Sequence, residues 1–136
     1  MSQKKVLKQG DTFARSMDVS EDTLAAFERI SGDSNRLHRD EQYAKSCGFR
    51  SKVSYGNILG LMVSSLVGMN LAEYEVLILA QMLLFRKPVY PGDTVTLSAE
   101  VSSVSEATKT SELKLTFRNG SSELVASGTC QVRELL

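Results

Sequence analysis

The stretch Ile58-Leu-Gly-Leu-Met-Val-Ser-Ser-Leu-Val-Gly-Met69 is the longest mostly apolar run in the chain, and its reading decides the fold. A dozen residues, interrupted by Gly60, Ser64, Ser65 and Gly68, fall short of the roughly 20 that carry a helix across a bilayer. The run reads instead as a buried helix over about Asn57–Met69. Its apolar residues Ile58, Leu59, Leu61, Met62, Val63, Leu66, Val67 and Met69 occupy most of the circumference, so burial is expected on most sides. Gly60, Ser64 and Gly68 fall four apart, a small-residue stripe that lets the helix lie close against a sheet or leaves room for a ligand.

Beyond this helix the hydrophobic period changes. Val76–Phe85 is rich in β-compatible residues, and Val95, Leu97, Ala99 and Val101 alternate with polar neighbours as in a strand with one wet face. Leu113, Leu115 and Phe117 alternate in the same way, Asn119-Gly120 marks a hairpin turn, and a return strand follows over about Glu123–Arg133. Pro91-Gly92-Asp93 separates the first two long strands. Upstream, the first third reads as helix and loop: a capped helix begins at Ser20 and Thr23 and ends near Gly32, and Asp40–Ser46 forms further helical turns stopped by Gly48. One very buried helix followed by an antiparallel meander implies an α+β domain whose curved sheet wraps the helix. Such a sheet leaves an edge unpaired, so at least a homodimer is expected.

The chain has 136 residues, a length that fits one domain over 1–136. Sixteen basic residues balance sixteen acidic ones, which removes the electrostatic reason to expect nucleic acid or an anionic membrane as partner. Cys47 and Cys130 are far apart and outside metal-ligand spacing, so they read as reduced, buried small side chains and no metal site is expected. MSQKKVLKQGD at the N-terminus lacks the apolar segment of a signal peptide, and a cytoplasmic protein is expected. Met62, Met69 and Met82 are expected in the core, and Lys4-Lys5 in a solvated tail.

The densest polar segment is Ser31-Gly-Asp-Ser-Asn-Arg-Leu-His38, which holds the only histidine in the chain, five residues after Asp33. From the residues alone, two readings stand. Asp33-Ser-Asn35 after a helix-ending glycine is ordinary turn chemistry. Alternatively, Asp33 and His38 share proton transfer, because imidazole exchanges protons near neutral pH.

This segment, extended to Arg39 and Asp40, resembles the hydratase-2 motif S-G-D-x-N-P-L-H-x-D of the MaoC-like dehydratases, the family of (R)-specific enoyl-CoA hydratases. The likeness continues through Tyr43-Ala-Lys, Gly48-Phe49, Tyr55-Gly-Asn57 in place of the family's H-G-M turn, and Ser64 in the helix. It ends with Gln81-Met-Leu-Leu-Phe-Arg-Lys-Pro-Val-Tyr-Pro-Gly-Asp-Thr-Val95, which is similar to Q-x-L-x-F-x-x-P-V-x-x-G-D-x-V. The resemblance implies a hot-dog fold and reversible hydration of a trans-2-enoyl thioester to the (R)-3-hydroxyacyl thioester. Carried over to this sequence, Asp33 and His38 activate one water and Gly56 donates its backbone N–H to the developing oxyanion. Ser64 orients Asp33, Asn35 shapes the loop, and Tyr55 and Asn57 line the pocket. Arg86 and Lys87 either meet the phosphates of coenzyme A or of a carrier-protein arm, or stand as exposed basic residues. No cofactor is implied beyond the coenzyme A or pantetheine arm of the substrate, and the expected assembly is a homodimer or a dimer of dimers. Three residues depart from the pattern: Arg36 for proline, Tyr55 for histidine and Asn57 for methionine. The Arg36 change implies a less rigid loop. The other two make the pocket wall more polar and leave open a short or oxygenated acyl group. A non-catalytic acyl-thioester-binding subunit and a thioesterase are the alternatives.

Overall fold

The computed structural model describes residues 3–135. Its elements follow in the order β1 (Thr12–Asp18), α1 (Glu21–Ser31), α2 (Arg36–Arg39), α3 (Glu41–Ser46), α4 (Ile58–Ser65), β2 (Val76–Phe85), β3 (Thr94–Ser105), β4 (Thr110–Arg118) and β5 (Leu124–Glu134). The five strands form one antiparallel sheet in the order β1-β3-β4-β5-β2. Together with the few helices they make the α+β hot-dog arrangement expected above. Among the described residues no helix is long and apolar enough to cross a membrane.

The alternation read in the second half places one face of the sheet inside. Val95, Leu97, Ala99 and Val101 of β3 meet Leu113, Leu115 and Phe117 of β4, and Cys130 and Val132 of β5 continue the same layer. Against this layer α4 buries Ile58, Leu59, Met62 and Val63, followed by Leu66 and Val67. The α-helical part ends at Ser65. Leu66–Asn70 continues as a single π-helical turn, closed by the Leu71 amide on the Leu66 carbonyl at 3.2 Å.

Several expectations need correction. The first third is not only helix and loop, because β1 pairs with β3 along its whole length. Its inward residues are Phe13, Arg15 and Met17, and Arg15 interrupts the apolar alternation that would have marked a strand. The helix is less enclosed than its composition suggests: Leu61 and Ser64 are exposed, and Met69 is 67% exposed. Ser64 and Gly68 of the small-residue stripe lie on this uncovered side, whereas Gly60 is half-buried, and a Cβ there would lie 3.5 Å from Gln81 Nε2 of β2. Met82 is also exposed, on a strand whose other edge is open, so of the three methionines only Met62 is core. Cys47 is exposed at the end of α3, whereas Cys130 is buried. Lys5 is tied by its amide to the Glu73 carbonyl at 3.0 Å and by its ammonium to the Glu73 carboxylate, so it is not a free tail. The β4–β5 turn is a longer loop than Asn119-Gly120 implies. Asn119 Oδ1 accepts from the amides of Ser121 and Glu123, and Ser122 takes the left-handed conformation.

Candidate active site

The site is built where α1 stops. Helix α1 opens on a capping box between Ser20 and Thr23 and ends at Gly32, whose φ of 74° is a left-handed conformation favourable to glycine. Three short side-chain bonds then steer the chain. The Asp33 amide donates to Ser31 Oγ, the Asn35 amide to Asp33 Oδ1 at 3.0 Å, and the Leu37 amide to Asn35 Oδ1 at 2.9 Å. The last of these caps α2, so Asn35 shapes the loop, and the cap carries His38 back towards Asp33.

His38 is gripped by the segment that leads into α4. Its Nδ1 lies 2.7 Å from the Val53 carbonyl oxygen. A carbonyl only accepts, so in the neutral ring Nδ1 holds the hydrogen and Nε2 keeps a free lone pair. That lone pair stands 4.0 Å from Asp33 Oδ2. The gap is too long for a direct hydrogen bond, yet it admits one oxygen atom about 2.8 Å from each group. The imidazole side chain is 16% exposed and the carboxylate 46%.

Tyr55 packs beside the pair and is 4% exposed. One face of its ring stacks on His38 with centroids 4.0 Å apart, and the other stacks on Phe27 at 4.5 Å. Its hydroxyl donates to the Asp33 main-chain carbonyl at 2.6 Å. Burial raises the phenol pKa above its ordinary value, and the negative charges of Glu28 and Asp33 push it the same way. The hydroxyl therefore stays protonated and remains a donor.

Gly56 and Asn57 follow at the start of α4. The amides of Ser54 and Val53 are tied to the carbonyls of Val89 and Leu37, which pins the approach. Neither Gly56 nor Asn57 donates its own amide to another backbone carbonyl, and the Asn57 side chain does not cap the helix. Free amides at a helix N-terminus favour a developing negative charge. A cavity of about 330 Å³ opens here, and His38, Tyr55, Gly56, Phe85, Arg86 and Lys87 are among the residues that line it. The Phe85 ring covers Gly56 closely: a Cβ added at Gly56 would lie 3.2 Å from Phe85 Cε1.

The fold thus brings Asp33, His38, Tyr55 and Gly56 together and sets Arg86 and Lys87 in the cavity wall. Lys87 Nζ is paired with Glu123 at 2.6 Å, and Arg86 Nε reaches Ser127 Oγ at 3.3 Å. The Glu123 carboxyl is held below its ordinary range, chiefly by the hydrogen bond from Lys87. Asp33 itself and Asn57 do not line the cavity. Ser64 is exposed two turns along α4, and within one chain its hydroxyl forms no hydrogen bond to Asp33. Sequence reasoning did not single out Phe85 or the Val53 carbonyl. A backbone acceptor leaves no signal in residue identity, and Phe85 stood in the Gln81–Val95 resemblance as a matched phenylalanine without a role. Among the described residues no cluster of His, Cys, Asp and Glu is arranged to hold a metal ion.

A family model described as MaoC like domain matches residues 3–121. An (R)-specific enoyl-CoA hydratase of Aeromonas caviae is 36% identical over 83 residues, 61% of this chain and 62% of that protein, so the alignment spans less than two thirds of the relative. A 3-hydroxybutyryl-CoA dehydratase of Methylorubrum extorquens is 28% identical over 127 residues, 93% of this chain and 80% of that one. The solved structure of an (R)-hydratase from A. caviae superposes with a TM-score of 0.88 at 29% identity, covering 95% of this chain and 98% of that chain.

Proposed function

The chain belongs to the MaoC-like domain family, and from that premise we propose that it catalyses reversible hydration of a trans-2-enoyl thioester to the (R)-3-hydroxyacyl thioester. The observation that carries this reading is the Asp33–His38 pair, 4.0 Å apart with Nδ1 occupied by the Val53 carbonyl. One water held between Asp33 Oδ2 and His38 Nε2 loses a proton to one group as its oxygen bonds to C3. The other group helps deliver a proton to C2. Charge growing on the thioester oxygen is met by the Gly56 amide at the start of α4. The thioester supplies the activation of its own α-carbon, so the scheme draws on no bound cofactor.

Arg86 and Lys87 support a substrate carried on coenzyme A or a pantetheine arm, since both stand in the cavity wall. The Lys87–Glu123 pair is an exposed, solvent-screened ion pair that contributes little to stability, and a phosphate can displace the carboxylate. A homodimer, or a dimer of dimers, is part of the same proposal. Among the described residues strand β2 has β5 as its only neighbour, and Leu79, Met82, Leu84 and Phe85 on it are exposed, as are Leu61 and Met69. A second copy would cover this apolar surface and the open edge together. We place the reaction in the cytoplasm, where the two free thiols stay reduced.

The test is hydration of crotonyl-CoA, followed as loss of the conjugated enoyl-thioester absorbance. Asp33→Asn and His38→Gln are each expected to lower kcat by about 10²–10⁴-fold. Turnover that survives in both variants would refute the scheme.

A further inference from the structure

We propose that Tyr55 is the positioning residue of this site, a clamp that fixes the imidazole of His38 and the main chain of Asp33 in one arrangement. The inference rests on the hydratase reading for its kinetic consequence, but its geometry stands without it. Three contacts define the clamp. The phenol ring lies against the imidazole at 4.0 Å, inclined by 29°, and Phe27 of α1 backs it at 4.5 Å with the same inclination. Its hydroxyl donates to the Asp33 carbonyl at 2.6 Å across 22 residues of sequence. Two residues earlier, the Val53 carbonyl holds Nδ1 in the ring plane. The short segment 53–55 therefore restrains the imidazole both edge-on and face-on, and it reaches the other half of the pair through the backbone.

An ordinary core aromatic would fill volume and stop there. Tyr55 instead joins the end of α1, the loop after it, α2 and the start of α4, and the next residue is the proposed oxyanion donor Gly56. Half-exposed Asp33 is otherwise restrained by its turn bonds with Ser31 and Asn35, so among the described residues the hydroxyl is its one hydrogen bond to a distant part of the chain. Tyr55 also stands where the resembling motif has histidine, so this clamp is a feature of this chain's own sequence. Loss of the hydroxyl frees the Asp33 carbonyl and lets the carboxylate drift. A displacement of 1 Å in a reacting geometry costs on the order of 10²-fold.

Two variants and two readouts test this. Tyr55→Phe keeps the ring stack and removes the hydroxyl, while Tyr55→Leu removes both. With the active thioester, Tyr55→Phe is expected to lower kcat by about 10- to 100-fold while leaving KM within about twofold. The second readout needs no turnover. His38 is the only histidine, so its long-range 1H–15N spectrum reports one imidazole. A single Nδ1–H tautomer is expected in the wild type and in Tyr55→Phe, and a tautomer mixture in Tyr55→Leu. A purely structural role would lower the unfolding temperature and leave both the kcat of folded protein and the tautomer unchanged, which would overturn the proposal. If Tyr55→Leu fails to fold, Tyr55→Phe alone decides: unchanged kcat overturns the clamp, and a loss confined to kcat supports it. If the wild type hydrates no enoyl thioester, the hydratase reading fails. Positioning is then judged by the Tyr55→Leu spectrum, where an unchanged single tautomer overturns it.

Discussion

Replacing Gly128 by alanine should loosen the strand that carries the cavity wall. Gly128 lies in β5 opposite Leu83 of β2, and among the described residues β5 is the only neighbour β2 has. A Cβ at Gly128 would fall deep inside contact distance of the Met82 carbonyl oxygen, and 3.0 and 3.1 Å from Met82 C and Leu83 Cα. These are backbone atoms, so no side-chain rotation relieves the clash and the strands must part. Two ladder hydrogen bonds beside the site stretch or break, at about 1 kcal/mol each, and backbone distortion adds a similar amount. The expected loss is about 2–4 kcal/mol, against a typical domain stability of about 5–15 kcal/mol. Urea unfolding should show a lower midpoint at an unchanged slope, since the surface exposed on unfolding is the same. Ser127→Ala is the control: it removes only the hydroxyl that Arg86 touches at 3.3 Å, and should move stability by no more than about 0.5 kcal/mol. Because β2 ends at Phe85, whose ring covers Gly56, Gly128→Ala should also weaken any substrate binding measured on folded protein. Equal midpoints for Gly128→Ala and Ser127→Ala would refute the strand separation and register on which this reasoning depends.

In the native protein one thiol, Cys47, should react with a disulfide reagent, and a second, Cys130, only after unfolding; two fast native thiols would contradict the burial. Burial raises the Cys130 thiol from 9.0 to about 11. Between those values the unfolded chain ionises this thiol first, so its contribution to stability is full below about pH 9 and falls as pH rises towards 11. The unfolding midpoint of Cys130→Ala should therefore gain on that of the wild type across this window. If Lys87 meets a substrate phosphate, Lys87→Ala should raise KM for a coenzyme A thioester by roughly 3- to 10-fold, an effect that shrinks as salt is added. Leu84→Glu on the open edge should shift the particle from dimer to monomer by light scattering; a wild type already monomeric would remove the dimer from the proposal.

β3, β4 and β5 were legible because one wet face imposes a period of two, and β2 was legible from its run of β-compatible residues; all four lie where those patterns put them. β1 was not, because Arg15 sits among its inward positions and is accommodated by a hydrogen bond to Asn70 at 3.2 Å, a partner 55 residues away. The apolar helix was legible as an element but not in its surroundings. Composition shows that Leu61 and Met69 avoid water, not that this chain leaves them uncovered. At the site, Asp33 and His38 were marked by a motif. The groups that restrain them were not, because the Val53 carbonyl belongs to the backbone and Tyr55 acts through a ring stack and a main-chain acceptor.

The Arg36 departure had implied a looser loop, and the local geometry answers it. Asn35 is the N-cap of α2, so Arg36 occupies the first helical position, where proline is favoured because its missing N–H has no partner to lose. Arginine there forgoes only the preset φ of proline, a difference of about 0.4–1 kcal/mol that acts mainly through the unfolded chain. Its side chain restores much of this. The guanidinium lies over the Tyr43 ring at 4.2 Å, worth about 0.5–1 kcal/mol at an exposed site, and pairs with Asp40 one turn on at 3.7 Å, worth about 0.3–0.5 kcal/mol. Tyr43 and Asp40 both belong to the start of α3, where Asp40 Oδ1 accepts from the Tyr43 amide, so Arg36 fastens α2 to the helix after it. The Tyr55 hydroxyl holds the preceding residues from the other side. In this chain, then, the stiffness that proline gives through one fixed torsion is spread over Arg36, Asp40, Tyr43 and Tyr55, and the loop bearing the Asp33–His38 pair stays anchored at both ends.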